Sequence, residues 1–125
     1  MLEPRSCESE IGRYKQLLRV WCDWCSTGIW VIDEPMQKTA GANADYEDYD
    51  LPDWLVARFD YWTDWWNSWE PWQTRDAEED YLMDAYVLSL AMDLKRVLGP
   101  DYYVEVAGKE IHHDYDKRRK NAPDL

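Results

Sequence analysis

Cys22-Asp23-Trp24-Cys25 is the one segment of this chain with the spacing of a reactive site. Two thiols separated by two residues form a redox couple when they follow a strand and open a helix, or half of a zinc site when a second ligand pair exists. The surrounding pattern argues against both uses. Leu18, Val20, Cys22 and Trp24 alternate with Arg19, Trp21 and Asp23, so the motif reads as part of a strand running into a turn. Residues three apart on a strand point to opposite faces. The second ligand pair could only be His112-His113, and adjacent histidines splay apart on an extended chain. Buried structural cysteines fit better, because a thiol packs as a small hydrophobe. A small CxxC metal or redox protein is the alternative from another functional class, to be tested by elemental analysis and thiol titration.

Other catalytic arrangements have less support. The chain has two histidines, and any Ser–His–Asp or Cys–His constellation would have to use one of them. There is no Gly-rich phosphate loop and no cofactor motif, and carboxylate pairs are plentiful by composition alone. Asp23 and Asp84 would gain raised pKa values only if buried. The reading is a protein that binds and is not an enzyme.

Two other features favour binding. Asp45-Tyr46-Glu47-Asp48-Tyr49-Asp50 interleaves acids with tyrosines, and the stretch to Asp53 contains five carboxylates. Directly after it, six tryptophans fall within nineteen residues: Trp54, Trp62, Trp65, Trp66, Trp69 and Trp72. At about 100° per residue, Leu55, Phe59, Trp62, Trp66 and Trp69 form a core stripe. Trp54, Arg58, Tyr61, Trp65 and Trp72 form a second stripe roughly 80–100° away. Asp60, Asp64 and Asn67 lie on the far side. The second stripe either packs inside the fold or meets another molecule, as exposed Trp and Tyr often do. Arg58 could stack on Trp54 or Tyr61. The candidate partner-binding residues are Asp45, Tyr46, Glu47, Asp48, Tyr49, Asp50, Trp54, Tyr61 and Trp65. The same stripe could form a homodimer seam.

The elements that must position these residues follow from period and punctuation. A strand from Lys15, a loop at Ser26-Thr27-Gly28 with Gly28 left-handed, and a strand Ile29–Ile32 ended by Glu34-Pro35 make a hairpin. Met36 to Asp50 carries no apolar period and reads as a loop of about fifteen residues. Pro52 suits the first turn of a helix capped by Asp50 and running to about Glu70, before Pro71. A second helix from near Thr74 ends at Leu98-Gly99-Pro100. Its polar residues trace one narrow stripe, which predicts packing from more than one direction. Tyr102–Val106 reads as a strand, with Ala107-Gly108 turning the chain so that Ile111 pairs back. The expectation is one α+β domain over 1–125, with two helices on a small antiparallel sheet. Residues 1–12 would form a loose lead, and 114–125, with Lys117-Arg118-Arg119-Lys120, a frayed basic tail.

Charge narrows the partner. The 125-residue chain has a formal net charge of −12. Fourteen acidic residues lie between Asp33 and Asp80, against only Lys38, Arg58 and Arg75. Direct nucleic-acid binding, which needs phosphate neutralisation, is disfavoured, and a basic protein partner is favoured. No apolar run reaches the roughly 20 residues of a membrane span. An N-terminus without an apolar signal core and an odd cysteine count of three place the chain in the cytosol.

The segment Trp21-Cys22-Asp23-Trp24-Cys25-Ser26-Thr27-Gly28-Ile29-Trp30, with Leu51-Pro52 and Leu98-Gly99-Pro100-Asp101-Tyr102-Tyr103-Val104-Glu105, resembles small acidic uncharacterised bacterial proteins. These carry a WxDWCSxGxW strand–turn, an aromatic helix, and a helix leading to a strand; the resemblance implies that outline and no activity. In physical character the chain is also similar to immunity proteins that neutralise bacterial toxins, which are small, acidic, cytosolic and cofactor-free. That likeness implies a protein that occludes a basic toxin, such as a nuclease, with carboxylates standing in for phosphates. A phage-encoded nucleic-acid mimic, such as an anti-CRISPR inhibitor, is an alternative of the same physical kind.

Overall fold

Leu17-Leu18-Arg19-Val20 puts branched aliphatic side chains on both sides of an extended chain, and the strand they form is covered on both faces. In the computed structural model, which describes residues 12, 14–22, 26–68, 76–106 and 109–112, this strand is β1 (Gln16–Val20). Leu18 and Val20 face the helices, while Leu17 joins Ile32, Tyr103 and Tyr14 on the other side. β2 (Ile29–Ile32) pairs antiparallel with β1, Val20 opposite Ile29 and Leu17 opposite Ile32. The hairpin expected from the sequence is present, but its connection is longer than Ser26-Thr27-Gly28. Regular pairing stops at Val20, one further bond joins the Trp21 N–H to the Gly28 carbonyl (2.9 Å), and Cys22 turns into the core.

Gly28 has φ +87°, and a Cβ there would lie 2.8 Å from Trp62 Cζ3. Only glycine suits both the backbone and the indole packed against it.

The long loop is more ordered than its lack of period suggests. Ala42–Asn43 (β3) pairs with β2, and Tyr46–Tyr49 forms a 3-10 turn closed by Asp50 in a left-handed conformation. Local hydrogen bonds replace apolar periodicity: the Ala44 N–H donates to the Ile29 carbonyl (2.8 Å), and the Asn43 amide donates to Thr27 Oγ1 (3.1 Å).

Asp50 therefore ends the 3-10 turn and does not cap the next helix. That helix, α1 (Asp53–Asn67), is entered through Pro52, whose carbonyl accepts from the Leu55 and Val56 N–H groups. Leu55, Phe59 and Trp62 are fully buried, as the core stripe predicted, and Trp66 packs half-buried against the same cluster. The segment 69–75, with Trp69, Trp72 and the expected helix end at Glu70, lies outside the described residues. α2 (Ala77–Leu98) starts with a capping box, in which Asp76 accepts from the Glu79 N–H (2.7 Å) and Glu79 reaches back to the Asp76 N–H. It ends at Gly99, φ +83°.

α2 is packed from two directions, as its narrow polar stripe predicts: Met83, Val87, Leu90, Ala91 and Leu94 are buried in the core it shares with the sheet and α1, where Met83 accepts from Trp62 Nε1 (2.7 Å). Its outer side is open, and Tyr81, Leu82, Leu88 and Val97 are exposed. Its apolar girth exceeds what the fold covers, because no layer among the described residues lies beyond it.

β4 (Tyr102–Val106) runs parallel to β1, with Leu18 beside Val104, and β5 (Lys109–Ile111) returns antiparallel to β4. The strand order is β3-β2-β1-β4-β5. The architecture is α+β with two helices on a small sheet, as expected, but the sheet is mixed because its central pair is parallel. The cause is α2, which carries the chain back so that β4 enters beside the start of β1; the Lys15 N–H donates to the Asp101 carbonyl (2.6 Å). On the face away from the helices, Glu105, 1% exposed, is paired with Arg19 (3.1 Å). The lead and tail expected at 1–12 and 114–125 lie outside the described residues, apart from Gly12.

Candidate partner-binding surface

The 3-10 turn orients its side chains in two directions. Asp45, Glu47, Asp48 and Asp50 are exposed, whereas Tyr46 and Tyr49 are half-buried. Tyr46 packs on Phe59 (ring centroids 5.9 Å), and its hydroxyl donates to the Thr27 carbonyl (2.6 Å). Burial and the neighbouring Asp60 carboxylate push its pKa well above the usual tyrosine value. Tyr49 packs edge-on to Tyr102 (6.0 Å) and donates to Gln16 Oε1, and burial likewise raises its pKa. The two tyrosines thus fasten the turn to the fold, and its carboxylates are what it offers outward.

On α1 the second aromatic stripe divides. Trp54 and Tyr61 are 53% and 65% exposed, and Trp65 is half-buried. Arg58 stacks on neither Trp54 nor Tyr61. It lies over the Tyr86 ring (5.4 Å), donates to Ser89 Oγ (2.9 Å) and pairs with Asp93. A cation that could have neutralised the face is drawn into the contact between the helices.

The relation between these groups follows from which side of α1 each neighbour takes. Phe59 and Asp60 face the 3-10 turn, while Arg58 and Tyr61 face α2. The outward stripe between the two flanks is Asp53, Ala57, Asp60, Asp64 and Asn67, all exposed and within roughly 80° on the helical wheel. The carboxylates of the turn and the aromatic pair Trp54 and Tyr61 are therefore not one cluster. They lie on opposite flanks of α1, joined by Asp53, Asp60 and Asp64. Sequence reading set Asp60 and Asp64 aside as a far face. The signal available was their spacing with Asp53, which at i, i+7, i+11 marks one side of a helix.

The remaining chemical candidates end up apart. Cys22 is buried in the core, His112 is exposed at the end of β5, Asp84 is exposed on α2, and Asp23, Cys25 and His113 lie outside the described residues. Among the described residues, no three His, Cys, Asp or Glu side chains come together as metal ligands. A groove of about 380 Å³ on the sheet face away from the helices is lined by Arg19, Trp21, Met36, Gln37, Lys38 and Glu105. The Arg19–Glu105 pair at its base is already engaged: Arg19 holds Glu105 and the carbonyls of Gln37 and Thr39, and the Met36 N–H donates to Glu105 Oε1 (2.8 Å). That arrangement clips the 34–39 loop to the sheet. Among the described residues no helix is long and apolar enough to cross a membrane. Compared with known proteins, the chain matches no family model and no curated protein.

Proposed function

We propose that this chain is an immunity or inhibitor protein, which binds a basic bacterial toxin in the cytosol, a nuclease effector fitting best, and silences it by occupancy without turnover of its own. The observation that carries the reading is the exposed row of Asp45, Glu47, Asp48, Asp50, Asp53, Asp60 and Asp64 beside the half-exposed rings of Trp54 and Tyr61. Arg58, the only cation in the sequence between Asp45 and Asp64, is turned to Asp93. A surface of one sign speeds encounter with an opposite charge and rejects acidic partners, while exposed aromatic rings supply area that holds once contact is made. The net charge of −12 acts in the same direction at long range.

The test partner is a toxin with a basic effector domain, to be sought first among the neighbouring genes. Reversal of Asp45, Glu47, Asp48 and Asp50 to Lys lowers affinity by about 100-fold or more, with an unchanged circular dichroism spectrum, because four rim contacts become repulsive. Wild-type affinity in that variant would sink the proposal.

One observation favours a nucleic-acid mimic such as an anti-CRISPR inhibitor as the second reading. Asp53, Asp60 and Asp64 lie on one outward stripe, about 10 and 6 Å apart along the axis, a row of carboxylates where a nucleic acid would present phosphates. The partner separates the two: an immunity protein silences a toxin domain and leaves a CRISPR effector complex active, whereas a mimic of the anti-CRISPR kind silences the effector complex.

A further inference from the structure

Apolar side chains do not stop at the aromatic flank of α1. Tyr61 packs against Tyr86 of α2 with ring centroids 5.9 Å apart, and Leu82, one turn before Tyr86, is 49% exposed. The contacts of Trp62 with Met83 and of Arg58 with Asp93 make the two helices antiparallel, so Trp65, one turn after Tyr61, lies toward Leu82. Beyond Leu82 the outer side of α2 exposes Tyr81 (72%), Ala85 and Leu88 (43%). This belt crosses both helices. Its rim is mainly acidic: Asp60 and Asp64 on α1 and Glu78, Asp80 and Asp84 on α2 are all exposed, while the nearby cations Arg58 and Arg96 are both paired with Asp93.

We infer that the partner-binding surface continues across the helix pair as an apolar belt of Tyr61, Trp65, Leu82, Tyr81 and Leu88, and that it takes a basic amphipathic segment of the partner, an apolar stripe flanked by Lys or Arg. An apolar centre within a polar rim is the usual anatomy of a protein interface, and exposed patches of this kind mark contact sites. The sign of the rim selects the occupant. A second copy of this chain would set carboxylates against carboxylates between two molecules of charge −12, which costs binding energy, whereas a basic segment gains on both rims. The inference rests on the reading of this chain as a binder of basic proteins and adds the partner's chemistry to it.

The probe is a synthetic peptide of about 18 residues, five helical turns, with a leucine stripe flanked by lysine and arginine. Two controls accompany it: the same composition scrambled, and the same stripe flanked by glutamate. By calorimetry the basic stripe peptide binds, the scrambled peptide binds at least about tenfold more weakly, and the acidic one does not bind. Leu82→Lys and Tyr81→Lys, both at exposed positions, each weaken the basic peptide by about tenfold or more with an unchanged circular dichroism spectrum. No binding of the stripe peptide, equal binding of the scrambled one, or wild-type affinity in both variants overturns the inference. A dimer in sedimentation velocity that Leu82→Lys dissolves overturns the choice of occupant. With the effector domain, loss of binding on reversal of the 3-10 carboxylates but full binding by Leu82→Lys removes this inference and leaves the proposed function standing. Full binding after that reversal removes the proposed function instead.

Discussion

Tyr46 and Tyr103 are held neutral by their surroundings. Burial is the larger cause for each, followed by Asp60 for Tyr46 and by Glu105 and then Glu110 for Tyr103; all of these raise the pKa above the ordinary 10.0. In the folded chain the hydroxyls keep their protons at a pH where the unfolded chain has begun to release them. Their stabilising contribution is therefore complete below pH 10 and declines as pH rises beyond it. Urea denaturation from pH 8 to about 11 gives a stability plateau and then a fall, and Tyr46→Phe, which has no proton to lose, makes the fall shallower. An equally steep fall in that variant would locate the alkaline sensitivity elsewhere. Tyr46 and its neighbour Tyr49 show what residue type alone leaves open. An acidic, tyrosine-containing turn reads as a sticky surface, yet the hydroxyls of Tyr46 and Tyr49 are spent on Thr27 and Gln16.

Where elements meet, Gly28 is a tight point, since it joins the hairpin to the indole of Trp62 on α1. Gly28→Ala sets a Cβ against that ring at a left-handed backbone position and costs about 1–3 kcal/mol in urea denaturation. A loss below about 0.5 kcal/mol would mean that the turn relaxes away from the helix. This glycine, the stop at Gly99-Pro100 and the stripe Leu55, Phe59, Trp62 were all legible in the sequence, because turn chemistry and a 3.6-residue period are local signals. What stayed hidden was non-local or too short. β3 spans two residues, which cannot display a period. The parallel pairing of β1 with β4 depends on where α2 delivers the chain, and no pattern within either strand records it. The narrow polar stripe of α2 predicts packing from more than one direction but not which apolar residues stay outside; Tyr81, Leu82 and Leu88 do, and only the layer count decides that. The candidate surface was half legible for the same reason: its residue types were visible, while the placement of Asp60 and Asp64 between its two parts required the neighbours of α1.

For the molecule as a whole, the proposed function assigns charge to the rate of encounter and contact to its lifetime. Raising salt from about 0.05 to 0.5 M lowers the association rate with the effector domain by about tenfold or more in stopped-flow measurements, and changes dissociation far less. A salt-insensitive association rate would make the contact mainly apolar and count against steering by the acidic face. The mixed sheet has a consequence of another kind, for how the chain is made. Arg19 of β1 sits beside Glu105 of β4, 86 positions later. While the chain is being synthesised, β1 has its hairpin partner on one edge and no strand on the other until residue 106 has emerged, and until then α2 has no complete sheet to lie on. The hairpin and α1 can form early as local structure, but the centre of the sheet closes last, by a contact of high sequence separation. Closure of the sheet is thus a late event, and a ribosome stalled inside α2 would carry a chain whose bare β1 edge is open to other strands.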